Sequence, residues 1–175
     1  VTMGLRALAG LEELMRKPAE PPYRGKATCG FDGRVELEGV DFGYGERLVL
    51  RNVSGWIEPG RVTALAGPNG CGKTTVARLV LGYYRPGGGR VRASGRPYEE
   101  IEMEGLRRQM GVVPQEALLF SGTVRENLTF GMSGASERSI EEALEFAAAR
   151  AWLRSLAGGL EARIGEDGLQ LSGGQ

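Results

Sequence analysis

The sequence predicts an α/β fold built around a phosphate-binding loop, and three observations carry that prediction. Gly67-Pro68-Asn69-Gly70-Cys71-Gly72-Lys73-Thr74 fits the spacing G-x-x-x-x-G-K-[ST]. In that pattern glycines let the backbone curl its N–H groups around an anion, and the lysine faces the β- and γ-phosphates. The apolar, β-branched run Arg61-Val62-Thr63-Ala64-Leu65-Ala66 ends at Gly67, as a buried strand feeding such a loop would. Thr75-Val76-Ala77-Arg78-Leu79-Val80-Leu81 then reads as a helix stopped by Gly82. Strand, glycine loop and helix in this order make a P-loop unit. The expected fold is therefore a P-loop NTPase.

The elements on either side follow from local pattern. Residues 2–16 carry Leu5, Leu8, Leu11, Leu14 and Met15 at helical spacing, ended by Pro18. Residues 18–33, with Pro18, Pro21, Pro22, Gly25, Gly30 and Gly33, read as a linker. The helix either packs on its own domain or ends a longer helix from a preceding one. A globular domain is expected over 34–175, opening with a strand at Val35, Leu37 and Val40 and a second from Leu48 through Val53 to Ile57. After the phosphate loop come a turn at Pro86-Gly87-Gly88-Gly89, a short strand at Arg90 to Ala93, and partial helix between Glu99 and Arg108. Met110-Gly111-Val112-Val113 has the composition of another buried core strand, leading into Pro114-Gln115. Beyond about residue 118 the pattern is helical, over Thr123 to Phe130 and Ser136 to Ala157, with Ser136 or Ser139 as a cap. The segment 158–170 reads as a glycine-punctuated loop.

Composition narrows the function classes. Hydrophobic content of 41% and charged content of 25% are those of a soluble globular domain. With 22 basic and 22 acidic residues there is no electrostatic case for nucleic acid as partner. Histidine is absent, which removes His-based acid–base chemistry and His metal ligation from these residues. The two cysteines, Cys29 and Cys71, have neither metal spacing nor the number for a disulfide framework.

The chemistry expected at Gly67 to Thr75 is nucleotide binding. Gly67, Pro68, Asn69, Gly70, Cys71 and Gly72 supply the loop, Lys73 a compact cation, and the Thr74 hydroxyl a ligand for Mg²⁺, with Thr75 behind it. Cys71, at a helix start and near Lys73, is either a nucleotide-protected thiol or a small side chain tolerated by the loop.

The chain ends in Leu171-Ser172-Gly173-Gly174-Gln175. At average composition this pentapeptide arises about once in a million positions, and it lies about a hundred residues after the phosphate loop. With Gln115 it makes residues 34–175 resemble the nucleotide-binding domain of ATP-binding-cassette (ABC) transporters. The resemblance implies a mixed β-sheet core, an N-terminal antiparallel β subdomain and a helical subdomain over about 118–175. It also implies ATP and Mg²⁺ as cofactors. Tyr44, in Phe42-x-Tyr44, matches the aromatic that stacks on adenine. Gln115 matches the glutamine that helps hold Mg²⁺ and senses the membrane domain. Lys73 and Gln115 are thus the candidate catalytic residues, and Thr74 and Gln115 the candidate metal ligands. Ser172, Gly173 and Gly174, with Gln175, match the groups that grip ATP bound by an opposite subunit. The implied partners are a second nucleotide-binding domain, in a head-to-tail homo- or heterodimer, and a transmembrane domain.

Leu119-Phe120-Ser121-Gly122-Thr123-Val124-Arg125-Glu126-Asn127-Leu128 resembles the exporter form of the family, as does Ile164-Gly165-Glu166-Asp167-Gly168. The usual basic residue of the latter loop is Asp167 here, and its upstream acidic position is Arg163. In exporters the membrane domain precedes the ATPase, which favours reading residues 1–33 as the helix and linker arriving from it. A place at the cytoplasmic face of the cell (inner) membrane follows. The alternatives are a soluble ABC-type ATPase without a membrane domain and a non-catalytic nucleotide-binding fragment. The family's strand ending in Asp-Glu and its switch histidine have no counterpart in these residues. The expectation is a C-terminally incomplete domain that, as residues 1–175 alone, binds ATP without hydrolysing it.

Overall fold

The computed structural model describes residues 22–115, 119–132 and 134–165. The amphipathic pattern at 2–16, and Ser172, Gly173, Gly174 and Gln175, lie outside the described residues. The chain divides into two compact units, Val1–Gly111 and Val112–Gln175.

The first unit is built on an antiparallel sheet. Strand β1 (Val35–Tyr44) and strand β2 (Arg47–Ile57) form a hairpin, and β1 also pairs with β3 (Gly88–Ala93), which in turn pairs with β4 (Arg96–Pro97). Alternation along β1, reset by an irregularity between Leu37 and Val40, sends Val35, Leu37, Val40 and Phe42 into the core. Against them pack Val91 and Ala93 of β3, Tyr98, Ile101 and Leu79. Leu79 belongs to helix α1 (Lys73–Val80), the helix that follows the phosphate loop. It is fully buried, so the phosphate loop is anchored to the sheet through α1.

The end of α1 is defined by two backbone bonds, Tyr83 N–H to Arg78 O and Gly82 N–H to Leu79 O, both 3.0 Å. This is the Schellman arrangement, and Gly82 takes the left-handed conformation it requires, at φ +67°. Buried Tyr98 donates its hydroxyl to Val80 O at 2.7 Å, occupying a carbonyl the helix end would otherwise leave unpaired. Helix α2 (Met103–Arg107) is shorter than the expected 99–108 span because Glu102 caps it, accepting from the N–H groups of Glu104 and Gly105.

Two expectations fail here. Residues 22–33 do not behave as a linker: Tyr23 is buried in the core, Cys29 and Phe31 pack against it, and Ala27 bridges to Ile101. The proline and glycine content that suggested a tether is compatible with an extended segment lying on a core. The runs 61–66 and 110–113 form no strand, and Val62 and Val113 are almost wholly exposed. Their composition suits strands buried on both faces, which need hydrogen-bonding neighbours along their edges. No strand among the described residues pairs with either run.

In the second unit, β5 (Gly122–Thr123) pairs with β6 (Arg163–Ile164), and helix α3 (Val124–Leu128) starts directly after β5. Val124, Ala162 and Ile164 form its small core, with Leu153, Leu156 and Leu160 against them. The single helix expected over 136–157 is two: α4 (Glu137–Phe146), capped by Ser136, and α5 (Arg150–Ser155). Ala149 N–H bonds to Leu144 O and Ala148 N–H to Glu145 O, the same Schellman closure as in α1. Ala148 takes the left-handed position at φ +53°. With alanine where glycine normally stands, the stop carries no sequence mark. The loop expected over 158–170 contains a short 3-10 turn (Gly159–Glu161) and β6.

Candidate nucleotide site

The phosphate loop is glycine-shaped as its spacing requires. Gly70 and Gly72 take φ +81° and +99°. Gly72 stands at the N-cap of α1 without a side-chain cap, and no acidic residue lies in the first turn. The helix thus offers its first N–H groups and the positive end of its dipole to an anion. Lys73 folds back over the loop, its ammonium donating to Gly67 O and Pro68 O at 2.8 Å each, with Cys71 Sγ at 3.9 Å. The cation is held by two carbonyls of the same loop. Pro68, Asn69, Gly70 and Cys71 are exposed, as is Thr74, whereas Thr75 is buried.

Thr75 points toward Tyr44. The two hydroxyls lie 3.4 Å apart, either one donating, and Arg78 of α1 donates to the Tyr44 hydroxyl at 3.1 Å. These contacts, Thr75 first, hold the Tyr44 phenol below its ordinary pKa. The Tyr44 ring meets Phe42 edge-on, with centroids 5.1 Å apart, and Tyr84 edge-on at 5.4 Å. Tyr44 remains 40% exposed, so ring surface is left for a ligand. Beside it, a cavity of about 390 Å³ is lined by Asp41, Phe42, Gly43, Glu46 and Arg85 among others, and no phosphate-loop residue borders it.

The first unit therefore brings together Tyr44, Gly67 to Gly72, Lys73, Thr74 and Thr75. Gln115 belongs to the second unit, exposed in a bend after Pro114. Arg78 and Tyr84 were not singled out by sequence reasoning. Arg78 lies three residues after Thr75 on α1, a spacing that puts both on one face. The resemblance implied Tyr44 at the nucleotide, but no local pattern indicated that its hydroxyl would meet that face.

Among the described residues no group of three or more His, Cys, Asp or Glu could hold a metal ion. The available donor, the Thr74 hydroxyl, fits Mg²⁺ only in its nucleotide-bound form, where phosphate oxygens and waters fill most of the octahedron.

In the second unit the motif at 119–128 has a structural explanation. Thr123 caps α3, accepting from Glu126 N–H at 3.1 Å, while Glu126 accepts from Thr123 N–H at 2.7 Å: a capping box. That bonding holds the Glu126 carboxyl below its ordinary pKa. Asn127 clamps the preceding loop, accepting from Phe120 N–H and donating to Phe120 O, both at 2.8 Å, and to Thr123 O at 2.9 Å. Arg125 ties α3 to Glu137 and to Glu161. Replacing Asn127 with alanine removes three hydrogen bonds and is expected to destabilise the second unit by about 1–3 kcal/mol. Amide exchange over 119–128, faster in the variant, would register it. Replacing Arg125, whose ion pairs are solvent-exposed, should leave stability close to that of the wild type.

Comparison with known proteins agrees with this architecture. Residues 50–175 match the family model described as ABC transporter. The chain is 39% identical over 158 residues to the heterocyst differentiation ATP-binding protein HepA of Nostoc sp., covering 88% of this chain and 26% of that protein. It is 41% identical over 142 residues to the mitochondrial iron-sulfur clusters transporter ATM1 of Kluyveromyces lactis, covering 81% and 20%. With antigen peptide transporter 2 of Mus musculus the identity is 39% over 165 residues, covering 93% and 24%. The chain thus spans about a quarter of the length of these relatives. A solved bacterial Atm1-family ABC exporter with ATP bound superposes at a TM-score of 0.82 with 32% identity, over 99% of this chain and 31% of that one. The family model covers well over half of the sequence, and the chain belongs to the ABC transporter family.

Proposed function

We propose that this chain is the ATP-binding part of an ABC exporter, coupling ATP binding and hydrolysis to the export of a substrate across a membrane. The observation that carries the reading is the phosphate loop on α1, with uncapped N–H groups and the Lys73 ammonium drawn over it. ATP would sit with its phosphates in this loop and its base against Tyr44, and the Thr74 hydroxyl would help hold Mg²⁺, which would supply positive charge to the phosphates. Gln115 would complete the metal site and report to a transmembrane domain. Ser172, Gly173 and Gly174 would close on the nucleotide of a second nucleotide-binding domain, arranged head to tail, and Gln175 ends that segment. The exporter reading draws on the named relatives and on the motif at 119–128. It places the domain at the cytoplasmic face of the membrane. Among the described residues no helix is long and apolar enough to cross a membrane.

Hydrolysis also needs a group that orients the attacking water, a role the family gives to a strand end in Asp-Glu that has no counterpart in these residues. Positioning and electrostatic stabilisation supply nearly all of the catalysis in phosphoryl transfer. Residues 1–175 alone should therefore bind Mg·ATP weakly and turn it over at least about a hundred-fold more slowly than the intact protein in lipid. Equal turnover by the two, or none by the intact protein, would contradict the proposal.

A further inference from the structure

Tyr44 stands at the exposed end of β1, one residue before the hairpin turn at Gly45. An aromatic side chain at such a place is ordinarily free to change rotamer. Here four groups converge on it. Phe42 and Tyr84 each stand perpendicular to its ring, at 89°, and Arg78 and Thr75 meet its hydroxyl. The two hydroxyl partners both come from α1, and Thr75 is buried. The ring and the phosphate-loop helix are thereby joined through side-chain atoms, although Tyr44 and Arg78 are 34 residues apart in the chain.

We propose that Arg78 is a positioning residue of the nucleotide site: through the Tyr44 hydroxyl it fixes the ring that receives the base and ties that ring to the phosphate-loop helix. The proposal rests on the reading of Tyr44 as the base platform. A ring held in place before the ligand arrives loses less rotational freedom on binding, so more of the stacking energy appears as affinity. Stacking itself needs only the ring; the hydroxyl serves its orientation. A basic residue in the last turn of a helix also complements the dipole. That role would change stability but not the preference for a nucleotide over bare phosphates.

The test is calorimetric titration of the intact protein with Mg·ATP and with Mg·tripolyphosphate, which has the phosphates but no base. The ratio of the two affinities measures the contribution of the nucleoside. Arg78→Ala and Tyr44→Phe should each lower the ATP affinity about three- to tenfold, the scale of one exposed charge-assisted hydrogen bond, and leave tripolyphosphate within about twofold. Combining them should cost no more than Tyr44→Phe alone, because that variant already removes the contact with Arg78. Arg78→Lys should recover part of the ratio. If Tyr44→Ala removes the nucleoside contribution while Arg78→Ala and Tyr44→Phe keep it, the positioning role is overturned and the platform stands. If Tyr44→Ala leaves the ratio unchanged, the platform reading falls and this proposal with it. Equal losses for both ligands in Arg78→Ala would assign Arg78 a general electrostatic role and overturn the proposal.

Discussion

Lys73→Ala is expected to reduce ATP hydrolysis by the intact protein by about a hundred- to a thousandfold, the scale for loss of one charge-stabilising donor at a reacting centre. The physical reason lies in where the ammonium is and what holds it. Lys73 is the first residue of α1, so its backbone N–H belongs to the anion-facing helix end while its side chain reaches back across the loop. The loop carbonyls of Gly67 and Pro68 keep the cation near the position that negative charge would occupy. Removing it takes away no core packing, because the Lys73 side chain is not among the buried groups. Thermal stability of the variant should therefore match the wild type while turnover is lost. Lys73→Arg should not restore activity, since a planar guanidinium cannot replace a compact ammonium in that space. Steady-state hydrolysis measured beside a melting curve separates a catalytic effect from a folding one.

Gly72→Ala should be the most damaging small substitution in the loop. Gly72 has φ +99°, a region that residues with a Cβ rarely enter. The added methyl would also stand 2.7 Å from Leu50 Cδ2 and 3.3 Å from Val49 Cγ1. Leu50 is buried in the sheet core and has little room to yield. The backbone at the N-cap must then shift, taking the first N–H groups of α1 with it. A stability cost of about 1–3 kcal/mol is expected, and an ATP affinity lower by at least about tenfold, since the phosphate cradle is made of those groups. Gly70→Ala supplies the control. Its φ is +81°, but no atom lies within 4 Å of the added Cβ, so it should cost only the backbone term, about 1 kcal/mol. Similar losses in the two variants would show that contact with Leu50 does not set the loop's shape.

The loop itself was legible because its chemistry imposes residue types at fixed spacing. Gly70 and Gly72 take the positive-φ conformations that glycine permits, and Lys73 folds back over the loop. The two strands that became β1 and β2, and the helix that became α1, followed from ordinary apolar patterning. Other features were hidden for identifiable reasons. The run 61–66 has the composition of a doubly buried strand, but composition cannot show whether its edge partners are present. The break between α4 and α5 is made by Ala148 in a glycine's conformation, which no propensity scale marks. Burial of Tyr23 and pairing of Ala27 with Ile101 lay behind a proline- and glycine-rich composition typical of tethers. The contact of Arg78 with Tyr44 depends on a strand and a helix meeting across 34 residues.

The motif at 119–128 shows a different limit. Its resemblance to exporters suggested function, but its side chains build structure here. Thr123 and Glu126 close a capping box and Asn127 holds Phe120 in the preceding loop. Pairing of β5 with β6 then connects this motif to Arg163 and Ile164, some forty residues later. A family pattern of this kind can mark the subtype through the local structure that it stabilises.

On the proposed function, the phosphate loop of this chain is half of a nucleotide site. A structure of the intact protein with Mg·ATP and a catalytically arrested centre tests this most directly. The prediction is that Gly67 to Thr75 surround the phosphates, with Tyr44 on the base, and that the γ-phosphate is met by the signature serine of a second nucleotide-binding domain. Ser172 of this chain would correspondingly lie on the nucleotide held by that second domain. ATP enclosed by Lys73 and Ser172 of the same chain, or bound away from Gly67 to Thr75, would contradict it.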